Sequence, residues 1–88
     1  MPKFMCTHTL PPGKFTPDNL RQMSHAAQTD PIVKGYRSFA NLAEGKAVCV
    51  MESPDKESLA AWFKKMGMPC DGITKVELEG DCGSIKTA

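Results

Sequence analysis

Two segments of this sequence carry the same helix-start signal, and their repetition constrains the fold more than any other feature. Thr16-Pro17-Asp18 and Ser53-Pro54-Asp55 each combine a hydroxyl side chain, a proline and an aspartate. A hydroxyl suits a helix N-cap, proline suits the first helical position, and aspartate suits the positive end of the helix dipole. Apolar residues at helical spacing follow the two signals: Leu20, Met23 and Ala27 after the first, and Leu59, Trp62, Phe63 and Met66 after the second. The sequence therefore predicts two capped helices.

Segments typical of β-strands flank both predicted helices. They span Lys3–Leu10, Ile32–Leu42, Lys46–Glu52 and Ile73–Glu79. Glu44-Gly45 joins the second segment to the third by a tight turn, which predicts an antiparallel hairpin. In the last segment we expect Val76 and Leu78 to face inward, because they alternate with charged residues.

The resulting order, β-α-β-β-α-β, predicts an α+β protein with the ferredoxin-like fold. In that fold two helices cover one face of a four-stranded antiparallel sheet. The 88 residues are enough for one domain and not for two. We assign residues 1–79 to this domain and expect residues 80–88 to form a flexible polar tail.

The uncovered face of the predicted sheet indicates self-association. A domain of this size buries only roughly 60–65% of its unfolded surface, so a partner subunit adds considerable stability. Phe39 and Met51 are large apolar residues that strand alternation is expected to place on the uncovered face. We therefore expect a homodimer closed sheet to sheet, as in the dimeric α+β barrels.

Composition argues against several classes of function. Eleven Lys and Arg stand against ten Asp and Glu, and a net charge of +1 provides no general attraction for nucleic acid. The apolar runs are too short for a membrane-spanning helix, and the N-terminal residues do not follow the secretory pattern, so we expect a cytoplasmic protein. The four cysteines form no C-x-x-C pair and are expected to stay free thiols.

Three familiar users of this topology lack their signatures here. An RNA-recognition domain needs stacking aromatic residues in its third strand, and Lys46–Met51 contains none. A copper chaperone would carry C-x-x-C where this chain reads Met5-Cys6-Thr7-His8. An acylphosphatase would carry an arginine-bearing loop where it reads Leu10-Pro11-Pro12-Gly13. We therefore expect none of these three functions.

The first strand carries the pair of side chains best suited to a metal. Cys6 and His8 are two residues apart, so they point to the same face, with Cα atoms roughly 6.5–7 Å apart. A thiolate and an imidazole at that separation could share nickel, copper or zinc. The alternative is that Cys6 packs in the core while His8 hydrogen-bonds a neighbouring strand or lines a small cavity. His25 lies off the apolar stripe of the first helix and is expected to be solvated rather than a ligand.

A ligand pocket between the sheet and the helices is the second candidate site. Tyr36 and Trp62 combine an apolar ring with a polar group, and His8 would add an imidazole, so we expect these three residues to line it. Trp62 also belongs to the apolar stripe of its helix, which makes core packing its default role. No nucleophile–base arrangement is recognisable, and catalytic residues therefore stay unassigned.

The chain also resembles a known family. The opening Met-Pro-x-Phe-Met with Cys6 and His8, the run Val48–Pro54 and the turn Gly67-Met68-Pro69 are similar to small bacterial ferredoxin-like proteins of unknown function. This DUF4242-like family includes members that bind nickel. The resemblance spans most of the predicted domain, and it implies a sheet-to-sheet dimer and transition-metal binding. It also places His8 on the family's first-strand histidine and Cys49 on its third-strand cysteine, which implies that Cys49 joins Cys6 and His8 as a candidate ligand.

Several histidines of the family are missing from this chain. Members best suited to metal carry them where this sequence has Phe63, Met68 and Thr74, and the first-helix histidine is displaced to His25. We expect a small homodimeric binding protein for a transition metal or small ligand, with a metal site shared between the first strands of two copies. One alternative is a cofactor-free monooxygenase or isomerase of the dimeric α+β barrel type, acting on a small hydrophobic compound. Another is a regulatory or stabilising module without a ligand.

Overall fold

The computed structural model describes all 88 residues. Its strands are β1 (Lys3–Thr9), β2 (Lys34–Asn41), β3 (Lys46–Glu52), β4 (Gly72–Lys75), β5 (Leu78–Asp81) and β6 (Ser84–Thr87), and its helices are α1 (Pro17–Thr29) and α2 (Lys56–Met66). β1 to β4 form one antiparallel sheet in the order β2-β3-β1-β4, while β5 and β6 pair only with each other. The two helices and the four-stranded sheet confirm the predicted α+β, ferredoxin-like fold.

Both helix N-caps lie within the predicted signals, but the N-cap of α1 is the first residue of its signal, whereas that of α2 is the third. Thr16 is the N-cap of α1, because its hydroxyl accepts a hydrogen bond from the Asn19 amide at 3.1 Å. The N-cap of α2 is Asp55, whose carboxylate accepts from the Ser58 amide at 2.7 Å. Ser53 instead donates its hydroxyl to the Asp55 carbonyl and stabilises the turn before the helix.

Strand alternation divides the sheet into two faces. Phe4, Cys6 and His8 of β1 are buried, and Ala47 and Met51 of β3 are buried opposite them. We call this side the helix face. It completes a core with apolar residues of the helices and their flanking segments, namely Ala27, Val33, Leu59, Trp62, Phe63 and Met68. Both candidate ligands of β1 therefore lie inside the core.

The other side of the sheet, which we call the open face, bears exposed or half-buried apolar residues: Met5, Phe39, Val48 and Val50. Phe39 lies there as predicted and is 63% exposed. The prediction for Met51 was wrong, because Met51 pairs with Phe4 on the helix face and is 4% exposed. The open face thus keeps an apolar surface without Met51.

The C-terminal segment also differs from its prediction. The strand expected from Ile73 to Glu79 is divided into β4 and the first strand of the separate β5–β6 hairpin, so the predicted boundary after residue 79 falls inside β5. Leu78, expected to face inward, is 60% exposed. The physical reason is the tight turn after β5, where Cys82 and Gly83 both adopt positive φ and close a local hairpin. The flexibility of this segment stays a prediction.

Gly45, in the turn between β2 and β3, has a conformation and a neighbour that both require glycine. Its φ is +72°, an added Cβ would overlap the Leu10 carbonyl oxygen, and its own carbonyl accepts from the Leu10 amide at 2.8 Å. Gly45→Ala is therefore expected to lower the free energy of unfolding by about 2–3 kcal/mol, through left-handed strain and a weakened hydrogen bond. Gly13→Ala is the matched control, because Gly13 is also left-handed but has open space around it, and should cost about 1 kcal/mol. Urea denaturation measures both, and equal losses would show that the Leu10 segment accommodates the methyl group.

Candidate functional site

His8 is held in the core from two sides. Its ring meets the Phe63 ring edge to face, with centroids 4.8 Å apart. On the other side, α2 ends at the left-handed Gly67, and the following segment places the Pro69 carbonyl oxygen 2.7 Å from Nδ1 of His8. Since a carbonyl oxygen can only accept, Nδ1 carries the proton and Nε2 keeps a free lone pair.

Nε2 of His8 has no hydrogen-bond partner although it is buried, and His8 as a whole is 2% exposed. Burial lowers the pKa of His8, and the hydrogen bond to Pro69 opposes this only in part, so the imidazole is neutral at physiological pH. A neutral imidazole whose second nitrogen donates to a carbonyl is the usual state of a metal-ligating histidine. His8 thus fits the role of a metal ligand by its chemistry.

Three thiols, those of Cys6, Cys49 and Cys70, lie near one another on the same side of the sheet. Cys6 and Cys49 are direct partners in the β1–β3 register, so their side chains share the helix face. Burial, together with smaller contributions from the nearby Cys70 and Cys49 thiols, raises the pKa of Cys6 to about 12. Burial likewise raises the pKa of Cys49 to about 11. All of these thiols are therefore protonated at neutral pH.

The candidate ligands Cys6, His8 and Cys49 thus share one face, but they do not form a ready metal site. No group of three or more His, Cys, Asp or Glu side chains is arranged to hold a metal ion. The donor types suit a soft or borderline metal, whereas the protonated thiols do not yet serve as ligands. Sequence reasoning did not single out Cys70, because it lies in an irregular segment where no periodicity predicts a direction.

The expected sharing of a metal between two first strands does not agree with this geometry. Cys6 and His8 are buried under the helices, at 0% and 2% exposure, and neither reaches the open face. A dimer closed through the open faces would therefore leave the two pairs on opposite sides of the paired sheets. His25 is exposed on α1, as predicted.

An apolar cleft of about 120 Å³ lies between α1, α2 and the edge strand β2. Thirteen of its eighteen lining residues are hydrophobic, which suits an apolar ligand. Tyr36 and Trp62 line this cleft as predicted, but His8 does not. The imidazole packs on Phe63, which lines the cleft, but His8 is not itself a lining residue, so the predicted group of three is divided.

Tyr36 marks the point where the cleft meets the open face. The Lys3 ammonium lies 4.3 Å from the centroid of its ring, and the Glu79 carboxylate raises the pKa of its phenol. Trp62 is 7% exposed and packs edge to face on Phe63, with the ring centroids 5.4 Å apart, in agreement with a core role. Without His8, the cleft offers no neutral base at physiological pH to a bound ligand.

No helix in the structure has both the length and the apolar character needed to cross a membrane. The family model described as "Nickel responsive protein SCO4226-like" matches residues 4–76. The crystal structure of SCO4226 from Streptomyces coelicolor A3(2) superposes with a TM-score of 0.72 at 28% identity, covering 89% of this chain and 99% of that one. No curated protein matches the chain. The match supports the family that the sequence resemblance indicated, but the matching family carries this description and not the name DUF4242.

Proposed function

Because this chain belongs to the SCO4226-like family of nickel-responsive proteins, we propose that it binds a transition metal with Nε2 of His8 as the first ligand. The buried, unpartnered lone pair on Nε2 carries this proposal. An unsatisfied polar atom in a core costs about 1–3 kcal/mol, and a metal ion would relieve that cost. The Pro69 carbonyl already orients the ring, as the second shell of a metal site does.

Cys6 is the second ligand in this proposal, because it shares the face and the strand of His8. Raising its pKa from 9.0 to about 12 adds about 4 kcal/mol to the free energy of forming the thiolate. For Cys49, with a pKa of about 11, the added cost is about 3 kcal/mol. Structural zinc sites gain about 10–16 kcal/mol of free energy on metal binding. The cost of forming one thiolate leaves most of that gain, whereas the cost of forming two would offset about half of it.

Uptake of metal by the unmodified chain is the direct test. The protein, purified without a histidine tag, is analysed for its elements and then titrated calorimetrically with nickel, copper and zinc salts. We expect one of these metals to bind in a ratio of one ion per chain. Absence of uptake for all three metals would remove the proposal.

We further propose a cytoplasmic location, where the reducing environment would keep the four free cysteines available.

We also propose that the chain forms a homodimer through its open face. Met5, Phe39 and Val48 are 43%, 63% and 37% exposed there, and contiguous apolar surface of this kind is typical of an interface. Burial of this patch would enlarge the core that a domain of this length lacks. Light scattering at micromolar concentration is expected to give twice the chain mass of 9.6 kDa. A single species of 9.6 kDa would contradict the dimer.

Binding of a small apolar ligand is a second candidate function, and the cleft at β2 is the observation that favours it. Its volume of about 120 Å³ approaches the roughly 150 Å³ of a cavity that accepts benzene. Trp62 is the single tryptophan of the chain and lines the cleft, so its fluorescence reports directly on occupancy by indole or benzene. The cleft supports binding rather than the monooxygenase or isomerase alternative, because it holds no imidazole.

A further inference from the structure

The floor of the apolar cleft beside β2 is built from small side chains. Gly35, Ser38 and Ala40 pair with helix-face residues of β3, so they too lie on the helix face. At Gly35 the strand lies close to α1, because a Cβ added there would be 3.5 Å from the Cβ of Ala27. Ser38 and Ala40 are exposed, which shows that neither helix covers this part of the strand. The floor of the cleft therefore has room for a ligand from Ser38 onward.

The walls of the cleft combine aromatic rings with sulfur. The rings are those of Trp62 and Phe63, and the side chains that bear sulfur are Met23, Cys49, Met51 and Met68. Sulfur makes favourable contacts with the edge of an aromatic ring, and two rings attract each other edge to face or offset-stacked. A saturated ligand of the same size would gain neither kind of contact. The walls therefore favour an aromatic ligand, and the volume of about 120 Å³ suits a single ring.

Neutral polar side chains border the mouth of the cleft. Ser24 and Gln28 continue the stripe of α1 that lines the cleft, and both are exposed. Ser38 lines the cleft from β2. Hydroxyl and carboxamide groups both donate and accept hydrogen bonds. A ligand with its ring among the sulfur atoms could thus bond to these groups through one polar substituent at the mouth.

The cleft offers no charged group to such a ligand. Arg37 is the one charged residue among those that line it. Arg37 pairs with Val50 of the open face, and its guanidinium carbon lies 5.5 Å from the centroid of the Phe39 ring, which is also on that face. The guanidinium is therefore on the side of β2 away from the helices. A carboxylate in the cleft would lose its hydration without gaining an ionic partner, which is unfavourable.

We propose that the cleft binds a neutral, single-ring aromatic compound of the phenol class, with its hydroxyl group at Ser24, Gln28 and Ser38. The inference rests on the proposed binding of a small apolar ligand and names the class of that ligand. The ring occupies the interior lined by sulfur, where aromatic contacts are available. The hydroxyl group stays at the mouth, where hydrogen bonds to the chain replace hydrogen bonds to water.

A nuclear magnetic resonance titration with matched pairs of compounds tests the class. Trp62 is the single tryptophan, so its indole N–H gives one resonance whose shift follows occupancy of the cleft. Phenol is expected to bind about fivefold more tightly than toluene, which has the same size but forms no hydrogen bond. Benzamide should bind at least about tenfold more tightly than benzoate, because only benzoate is charged. Phenol should also bind more tightly than cyclohexanol, which has a hydroxyl group but no aromatic ring.

Two sets of variants locate the ligand. Ala40→Leu fills the floor and should weaken phenol binding at least about tenfold, whereas Ala61→Leu, the same change at an exposed residue outside the cleft, should not alter it. The double variant Ser24→Ala, Ser38→Ala should remove most of the preference for phenol over toluene and leave toluene binding unchanged. Ser84→Ala, at an exposed serine of the β5–β6 hairpin, is its control. All of these residues are exposed, so each variant should keep the circular dichroism spectrum of the parent.

The outcomes separate the class of ligand from binding in the cleft. If no compound shifts the Trp62 resonance, both the class and the proposed apolar binding fail. If toluene or cyclohexanol binds as tightly as phenol, or benzoate as tightly as benzamide, the class is overturned while binding in the cleft stands. Undiminished phenol binding by Ala40→Leu, or an unchanged preference in the double variant, would overturn the placement of the ligand. The expected order in all three pairs, lost in the cleft variants and kept in their controls, supports the proposal.

Discussion

Replacing His8 with alanine is expected to abolish metal uptake. The affinity measured by calorimetric titration should fall at least a hundredfold. The variant removes the one buried nitrogen that is neutral, oriented by a carbonyl and without a partner. Without it the remaining candidate donors on this face are thiols, and each of them must lose a proton at a raised pKa before it can bind a metal. His25→Ala is the matched control, since it deletes an exposed imidazole and should leave the affinity unchanged.

The pH dependence of uptake identifies the remaining ligands. Burial lowers the pKa of His8, so protonation of the imidazole competes with the metal only below its ordinary value of 6.5. The thiol of Cys6, with a pKa of about 12, gives up its proton to the metal throughout the neutral range. Affinity should therefore rise about tenfold per pH unit between pH 7 and 8 if one thiolate binds.

The same titration contains the results that would contradict this donor set. A flat profile above pH 7 would exclude thiolate ligands, and a rise of about a hundredfold per pH unit would require two of them. Cys6→Ser should flatten the dependence of metal affinity on pH. Denaturation of the same variant checks separately that the fold is stable. Full affinity in His8→Ala would remove the strand site altogether.

Trp62→Ala is expected to lower the free energy of unfolding by about 3–5 kcal/mol. The indole is 7% exposed, contacts the Phe63 ring at 5.4 Å, and belongs to the main core cluster, so its truncation opens a cavity between α2 and the helix face. The cleft beside it admits some relaxation, which favours the lower part of that range. Guanidinium denaturation followed by circular dichroism measures the change without the tryptophan signal.

Two companion variants define how that loss is interpreted. Trp62→Phe keeps most of the buried ring and should cost less than half as much, whereas Ile32→Ala, at a residue 52% exposed, should cost under about 0.5 kcal/mol. A loss in Trp62→Ala no larger than that of Ile32→Ala would mean that the indole is not part of the core. It would then favour a role for Trp62 in ligand contact alone.

The sequence alone was sufficient for the elements whose signals are local. Thr16 caps α1 as its hydroxyl predicted, because its side chain bonds an amide three residues away. The second signal also predicted a helix correctly, although its N-cap is Asp55 and not the hydroxyl residue Ser53. Alternation in β1 likewise determined that Cys6 and His8 share a face, since side chains two residues apart in a strand point the same way. From these elements the order of strands and helices, and with it the ferredoxin-like fold, could be predicted.

Only the tertiary structure decided which face these side chains occupy and what they contact. Alternation is the same for either face, so the sequence could not show that Met51 enters the core or that His8 lies under the helices, away from the open face. The 2.7 Å contact between His8 and the Pro69 carbonyl joins residues 61 positions apart, and no local pattern encodes it. Alternation also could not show that Leu78–Thr87 forms a hairpin, because the same pattern suits a longer β4. The turn at Gly83 determined that a separate two-stranded hairpin forms instead. Local physics thus determined the elements, while the packing of distant segments determined the site.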